Sequence, residues 1–236
     1  MPGHVGMKRP GSSAFEPMLN QPVSLDDLDA VILDFGGVLY DIDYDAPPKA
    51  FAALGDSDFA SLYHQAAQST WFDDLETGQL DRETFYGHLA ERCQPGTTSD
   101  QIHEAWCCIL TGMPPERAAL VTALGTRTRL FLLSNTNAIH AAVFEADLQA
   151  TLPDASAFWG AFEQAHYSHD LGFKKPHPKT FLAVCEKHGL APGRTLFLDD
   201  SIQHVEGAHR AGLHAHHLDL SREDFGGWMS RMGWRP

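Results

Sequence analysis

Three short apolar runs punctuate the chain, and each ends abruptly on small polar or acidic residues. Ala30-Val31-Ile32-Leu33 stops at Asp34, Leu130-Phe131-Leu132-Leu133 at Ser134-Asn135, and Leu196-Phe197-Leu198 at Asp199-Asp200. Runs of this length without alternation suit strands buried on both faces, as in a parallel sheet covered by helices. Helical spacing fills the intervals: residues 138–149, Pro178 to His188 closed by Gly189, and Ile202 to Ala211 closed by Gly212. Glycine is favoured just past a helix end. Leu213 to Leu218 predicts an edge strand, with Ser221 capping a terminal helix. The fold class is therefore α/β, a Rossmann-like doubly wound parallel sheet. In such sheets ligands bind beyond the carboxyl ends of the strands, where these polar residues stand.

Residues 45–111 predict helices only. Asp45 precedes Pro47-Pro48 and Gly55 ends that helix, as proline in a first turn and glycine past the last favour. Phe59, Leu62, Tyr63, Ala66 and Ala67 repeat at helical spacing. Asp81 begins a helix through Arg92, and Thr98 with Gln101 makes a capping box before Ile102, Ala105, Trp106 and Ile109. The expected organisation is a disordered extension over 1–24, an α/β core over 25–44 and 112–236, and an inserted all-helical cap over 45–111. A cap in that place lies over the strand ends. Trp71, Phe72, Phe85 and Trp106 are expected to pack inside it.

At 236 residues the chain is long enough to bury a core without disulfides or zinc. Its net charge of −14 repels phosphate backbones and anionic lipid, so neither nucleic acid nor membrane is an expected partner. An anionic ligand needs positioned cations to overcome that field locally. Cys93, Cys107, Cys108 and Cys185 form no CxxC pair and are expected as reduced thiols. No apolar stretch follows the first basic residues, so a secretory leader is not expected and the expected location is cytoplasmic.

In order, the polar strand ends are DFGGVLYD (34–41), LLSNTN (132–137), GFKKPHP (172–178) and LFLDDS (196–201). Together they resemble the four motifs of the haloacid dehalogenase-like (HAD) hydrolase superfamily, over about residues 28 to 217. SNTNAIH (134–140) and YSHDLGFKKP (167–176) look most like the branch of bacterial α-D-glucose-1-phosphate phosphatases. The resemblance implies a magnesium-dependent phosphohydrolase acting on a small phosphorylated metabolite, such as a sugar phosphate, as a monomer or homodimer. Asp34 would be the nucleophile and form an aspartyl-phosphate. Mg²⁺ would be held by Asp34, the Gly36 carbonyl and Asp200, with Asp199 as a further ligand or an orienting acceptor. Ser134 and Asn135 would bind the phosphoryl oxygens, helped by amides of the following helix. Lys175, directly before Pro176, would keep Asp34 ionised and neutralise the phosphoryl charge; Lys174 competes for that role.

One departure stands out. HAD phosphatases usually carry a second Asp two residues after the nucleophile, and this chain has Gly36 there. General acid–base assistance is typically worth about 10²–10⁴ in rate, so either anomeric phosphates, whose leaving groups are better, are the expected substrates, or a cap residue or water replaces the acid. Metal-independent dehalogenation of a 2-haloacid, or a catalytically weak HAD-like binding module, are the alternatives. Asp41 and Asp43 are expected as solvated loop acids and His177 as a surface residue. His214 and His216 would share one strand face, but no acidic or cysteine partner has metal-site spacing.

Overall fold

The structure, a computed structural model, describes residue 20, residues 23–63 and residues 70–234. Most of the extension expected over 1–24 lies outside the described residues, as do Ala66 and Ala67. The strands are β1 (Ala30–Leu33), β2 (Asp41–Ile42), β3 (Leu110–Gly112), β4 (Arg129–Ser134), β5 (Gln164–Tyr167), β6 (Thr195–Asp199) and β7 (His214–His217). Five of them form one sheet in the order β5-β4-β1-β6-β7, and every neighbouring pair is parallel. The chain leaves β1 toward β4 and later returns to β6 on its other side. That reversal opens a crevice at the carboxyl end of β1.

Alternation along the central strands shows how the sheet is covered. Val31, Leu33, Leu130, Leu132, Leu196 and Leu198 face one apolar layer, while Ala30, Ile32, Phe131, Leu133 and Phe197 face the other. The first layer holds helices α6 (Pro115–Gly125), α7 (Ala138–Thr151), α8 (Ala155–Gly160) and α12 (Phe225–Arg231), which contribute Val121, Phe144, Phe158 and Trp228. The second holds α10 (Pro178–His188) and α11 (Ile202–Arg210), with Phe181, Val184, Val205 and Ala208. A short α9 (Ser168–Leu171) follows β5. Burial on both faces explains why the interiors of the central strands lack polar positions.

The intervening helices α1 (Ala46–Ala53), α2 (Phe59–Tyr63), α3 (Thr70–Glu76), α4 (Arg82–Ala90) and α5 (Ser99–Cys107) build their own core from Phe51, Phe59, Phe72, Phe85 and Trp106. Asp81 caps α4, accepting from the Thr84 amide at 2.8 Å. Thr98 and Gln101 close the expected capping box. The antiparallel pair β2–β3 ties the two ends of this helical insertion together; strands of two and three residues leave no periodic signal. Strand β5 also escaped the apolar pattern, because Gln-Ala-His-Tyr at a sheet edge is not a buried run. The cap of the last helix is Asp224, which accepts from Gly227 at 2.8 Å. Ser221 instead bonds to Asp219 in the preceding turn, correcting the expectation for that residue.

On the outer edge of β7, Asn20 donates its amide to the Ala215 carbonyl and accepts from the His217 amide. No helix among the described residues is long and apolar enough to cross a membrane.

Candidate active site

The parallel register aligns the strand ends. Leu33 lies beside Leu132 and Leu198, so the next residue, Asp34, emerges between β4 and β6. Its amide is anchored to the Leu198 carbonyl at 2.9 Å. The loop after α9 then sends Lys175 beneath the carboxylates. The Lys175 Nζ donates to Asp34 Oδ1 at 2.5 Å, to Asp199 Oδ2 at 2.7 Å and to the Leu133 carbonyl at 2.9 Å. All three donors of a buried ammonium are satisfied, as its desolvation requires.

Asp199 is fully buried behind this lysine. Its Oδ1 also accepts from the Ser201 amide at 2.7 Å, and His204 Nδ1 lies 3.0 Å from Oδ2. Burial alone would raise its pKa, but Lys175 and His204 overcome that and hold the carboxyl below its usual range. For Lys175, burial pulls the other way, and Asp199 with Asp34 keeps the ammonium above its usual value. Asp34 and Asp200 fare differently. Burial, reinforced by the Asp199 charge, pushes Asp34 up to about 6. Burial and repulsion from Asp34 and Asp199 push Asp200 up to about 7. Among the described residues Asp200 forms no ion pair. One ammonium therefore serves three carboxylates, each with an oxygen within 4.8 Å of the others. Such a donor set, rich in oxygen and short of positive charge, fits a hard divalent cation.

Glycines allow this crowding. Gly37 has φ +80°, and a Cβ there would sit 2.4 Å from Asp200 Oδ2, so only glycine lets the turn pass the carboxylate. On α11, a Cβ at Gly207 would lie 2.2 Å from the Pro176 carbonyl oxygen, so the helix seats the lysine loop directly on its backbone. At Gly36 a Cβ would meet Ile42 Cγ1 at 3.2 Å; an apolar side chain fills the region where an acid–base carboxylate was missed.

The remaining candidates divide. Ser134 is buried, lines the cavity, and its hydroxyl makes no hydrogen bond among the described residues. The Asn135 carboxamide is spent differently: Nδ2 donates to the Lys175 carbonyl and Oδ1 accepts from the Lys175 amide, both at 2.9 Å. It braces the lysine loop. The amides at the start of α7 are also engaged, since those of Ile139 and His140 donate to Asn137 Oδ1 and that of Thr136 to Ser168. These three amides are therefore already engaged within the protein. Asp41 pairs with Arg117, Asp43 caps a turn and His177 caps α10. His216 is buried against Trp228 and Arg231, and His217 reaches the Asp200 carbonyl.

A cavity of about 710 Å³ lies over Asp34, Ser134, Lys175 and Asp200. Its far wall comes from the helical insertion, where Asp73, Glu76, Tyr63 and Trp106 face inward. Lys174 reaches across to this wall and donates to Asp73 Oδ1 and Glu76 Oε2, both at 2.6 Å. Thus Lys174 serves the insertion and Lys175 the strand ends. The roles of Asp73, Glu76 and His204 carried no readable signal, because each depends on a partner 5 to 101 residues away.

Known proteins resemble this arrangement. A D-ribitol-5-phosphate phosphatase from Bacteroides thetaiotaomicron is 27% identical over 74% of this chain and 84% of its own. A HAD family enzyme from the same organism, crystallised with magnesium and inorganic phosphate, superposes with TM-score 0.74 at 26% identity, covering 84% of this chain and 97% of that one. A HAD-like hydrolase structure from Porphyromonas gingivalis gives TM-score 0.76 at 27% identity, covering 89% and 99%. The sequence profile of the haloacid dehalogenase-like hydrolases matches residues 28–212, which include all four strand-end motifs. With fold, motif order and profile in agreement, the chain belongs to the haloacid dehalogenase-like hydrolase family.

Proposed function

We propose that this chain is a magnesium-dependent phosphohydrolase that removes phosphate from a small sugar or polyol phosphate through an aspartyl-phosphate on Asp34. The observation that carries this reading is the Lys175 ammonium bridging Asp34 and Asp199 while Asp200 stands unpaired beside them. Asp34 and Asp200 would hold the cation directly, Gly36 could add its carbonyl, and Asp199 would act from behind through Lys175. When bound, magnesium supplies charge neutralisation for the phosphoryl oxygens and keeps the flanking carboxylates ionised.

The rest falls to the protein. Asp34, held by Lys175 through Oδ1, attacks phosphorus with its other oxygen; the ester P–O bond breaks and the alkoxide takes a proton from water. A second water then hydrolyses the acyl phosphate, freeing Asp34 and inorganic phosphate. Ser134 offers its unpartnered hydroxyl to a phosphoryl oxygen, and Lys175 compensates the charge. Since Gly36 brings no general acid, glucose 1-phosphate, with its anomeric leaving group, remains the favoured member of the class. The D-ribitol-5-phosphate phosphatase relative supports a polyhydroxylated substrate while pointing to a primary ester.

Hydrolysis of p-nitrophenyl phosphate that EDTA abolishes and Mg²⁺ restores, with Asp34→Asn as blank, tests the reading. A metabolite panel then ranks substrates; clear preference for glucose 6-phosphate over glucose 1-phosphate removes the anomeric assignment. Halide release from 2-chloropropionate without metal would instead support the dehalogenase alternative.

A further inference from the structure

We infer that Asp73, Glu76 and Lys174 form a selectivity wall that binds hydroxyl groups on the uncharged part of the substrate and turns away any second anionic group. The inference rests on the phosphohydrolase reading and adds to it a substrate class: monophosphate esters of neutral, polyhydroxylated molecules.

The geometry points there. Asp73 and Glu76 lie three residues apart on α3, so both project from one face of the helix, and both line the cavity that holds Asp34. Lys174 occupies one oxygen of each. Asp73 Oδ2 and Glu76 Oε1 accept no hydrogen bond among the described residues, so each can accept one from a substrate hydroxyl. Two carboxylates against one ammonium leave this wall with a net negative charge. A phosphate or carboxylate on the far end of the substrate would meet like charge there, at a site already within a chain of charge −14. Hydroxyls meet acceptors. Hydrogen bonds to charged acceptors are the stronger kind.

Lys174 could instead serve merely to latch the helical insertion onto the strand ends, and the experiment separates the two roles. The full-length protein with Mg²⁺ is assayed on D-ribitol 5-phosphate and on p-nitrophenyl phosphate, which has no hydroxyl chain. In Glu76→Gln and in Asp73→Asn, the ratio of kcat/KM for the polyol ester to that for the aryl ester is expected to fall about tenfold, mostly through KM, as loss of one charged acceptor implies. A ratio that stays within about twofold, with both activities falling together, is what a latch gives, and overturns the wall. A second comparison needs no variant: wild-type protein should prefer D-ribitol 5-phosphate to n-pentyl phosphate, and glucose 6-phosphate to 6-phosphogluconate, by about tenfold or more each. Equal handling of either pair sinks the wall alone if p-nitrophenyl phosphate is still turned over. A wild-type protein that hydrolyses no phosphate ester sinks the phosphohydrolase reading, and the wall with it.

Discussion

Two consecutive lysines make the same arrangement in two regions of one cavity. Lys175 lies 2.5 and 2.7 Å from Asp34 and Asp199; Lys174 lies 2.6 Å from both Asp73 and Glu76. Distance does not distinguish these triads, but water does. The Lys175 and Asp199 side chains have no exposed surface, whereas Lys174 is 22% and Asp73 51% exposed. Buried, the triad shifts its members' titration and forces a shortage of positive charge onto Asp34 and Asp200. Partly solvated, the other triad is screened by water. The same three charges are thus dry and strained in one place and solvated in the other, the contrast expected of a reactive centre and the proposed recognition wall.

The comparison can be broken by substitution. Asp34→Asn should bring turnover below detection while leaving the fold intact, seen by activity alongside circular dichroism; residual turnover would move the nucleophile elsewhere. Lys175→Met strands two buried carboxylates and should cost about 3–5 kcal/mol in chemical denaturation, besides abolishing activity. Lys174→Met should cost no more than about 1 kcal/mol in the same measurement. If the two lysines cost alike, burial does not separate the triads.

Finer tests follow. Gly37→Ala forces a side chain into the left-handed region and against Asp200, and should cost about 1–3 kcal/mol while shrinking the rise in Tm that Mg²⁺ produces. Acidity offers a milder handle. Asp34 and Asp200 titrate in the folded chain at about 6 and about 7, above the 3.8 of an ordinary aspartate. Their contribution to stability is therefore full below about pH 4 and is lost as pH rises through those values. Without metal, Tm should decline from about pH 5 to about pH 8 on their account, and stabilisation by Mg²⁺ should be larger at the upper end. A magnesium effect independent of pH would contradict the charge shortage.

Much of the candidate site's placement was readable because it stands where local rules converge. Asp34, Ser134 and Asp199 end apolar runs, and a parallel register brings such ends together. Lys175 was separable from Lys174 only through the resemblance to known motifs; backbone preference before proline gives direction but no partner. What stayed hidden depends on contacts across the fold. The reciprocal pair of Asn135 with the Lys175 backbone, 40 residues on, has no local signature. Asp73 and Glu76 carry no local sign of a role; only the tertiary structure turns them onto the cavity. His204 steadies Asp199 only once the fold brings the two together.

The contact between Gly207 and the Pro176 carbonyl has a practical side for protein engineering. Because the helix backbone is the floor on which the lysine-bearing turn rests, neither piece is portable alone. Transplanting the Lys-Lys-Pro turn into another scaffold would require bringing its supporting helix, bare at that one position, or the ammonium would arrive displaced from the carboxylates it serves.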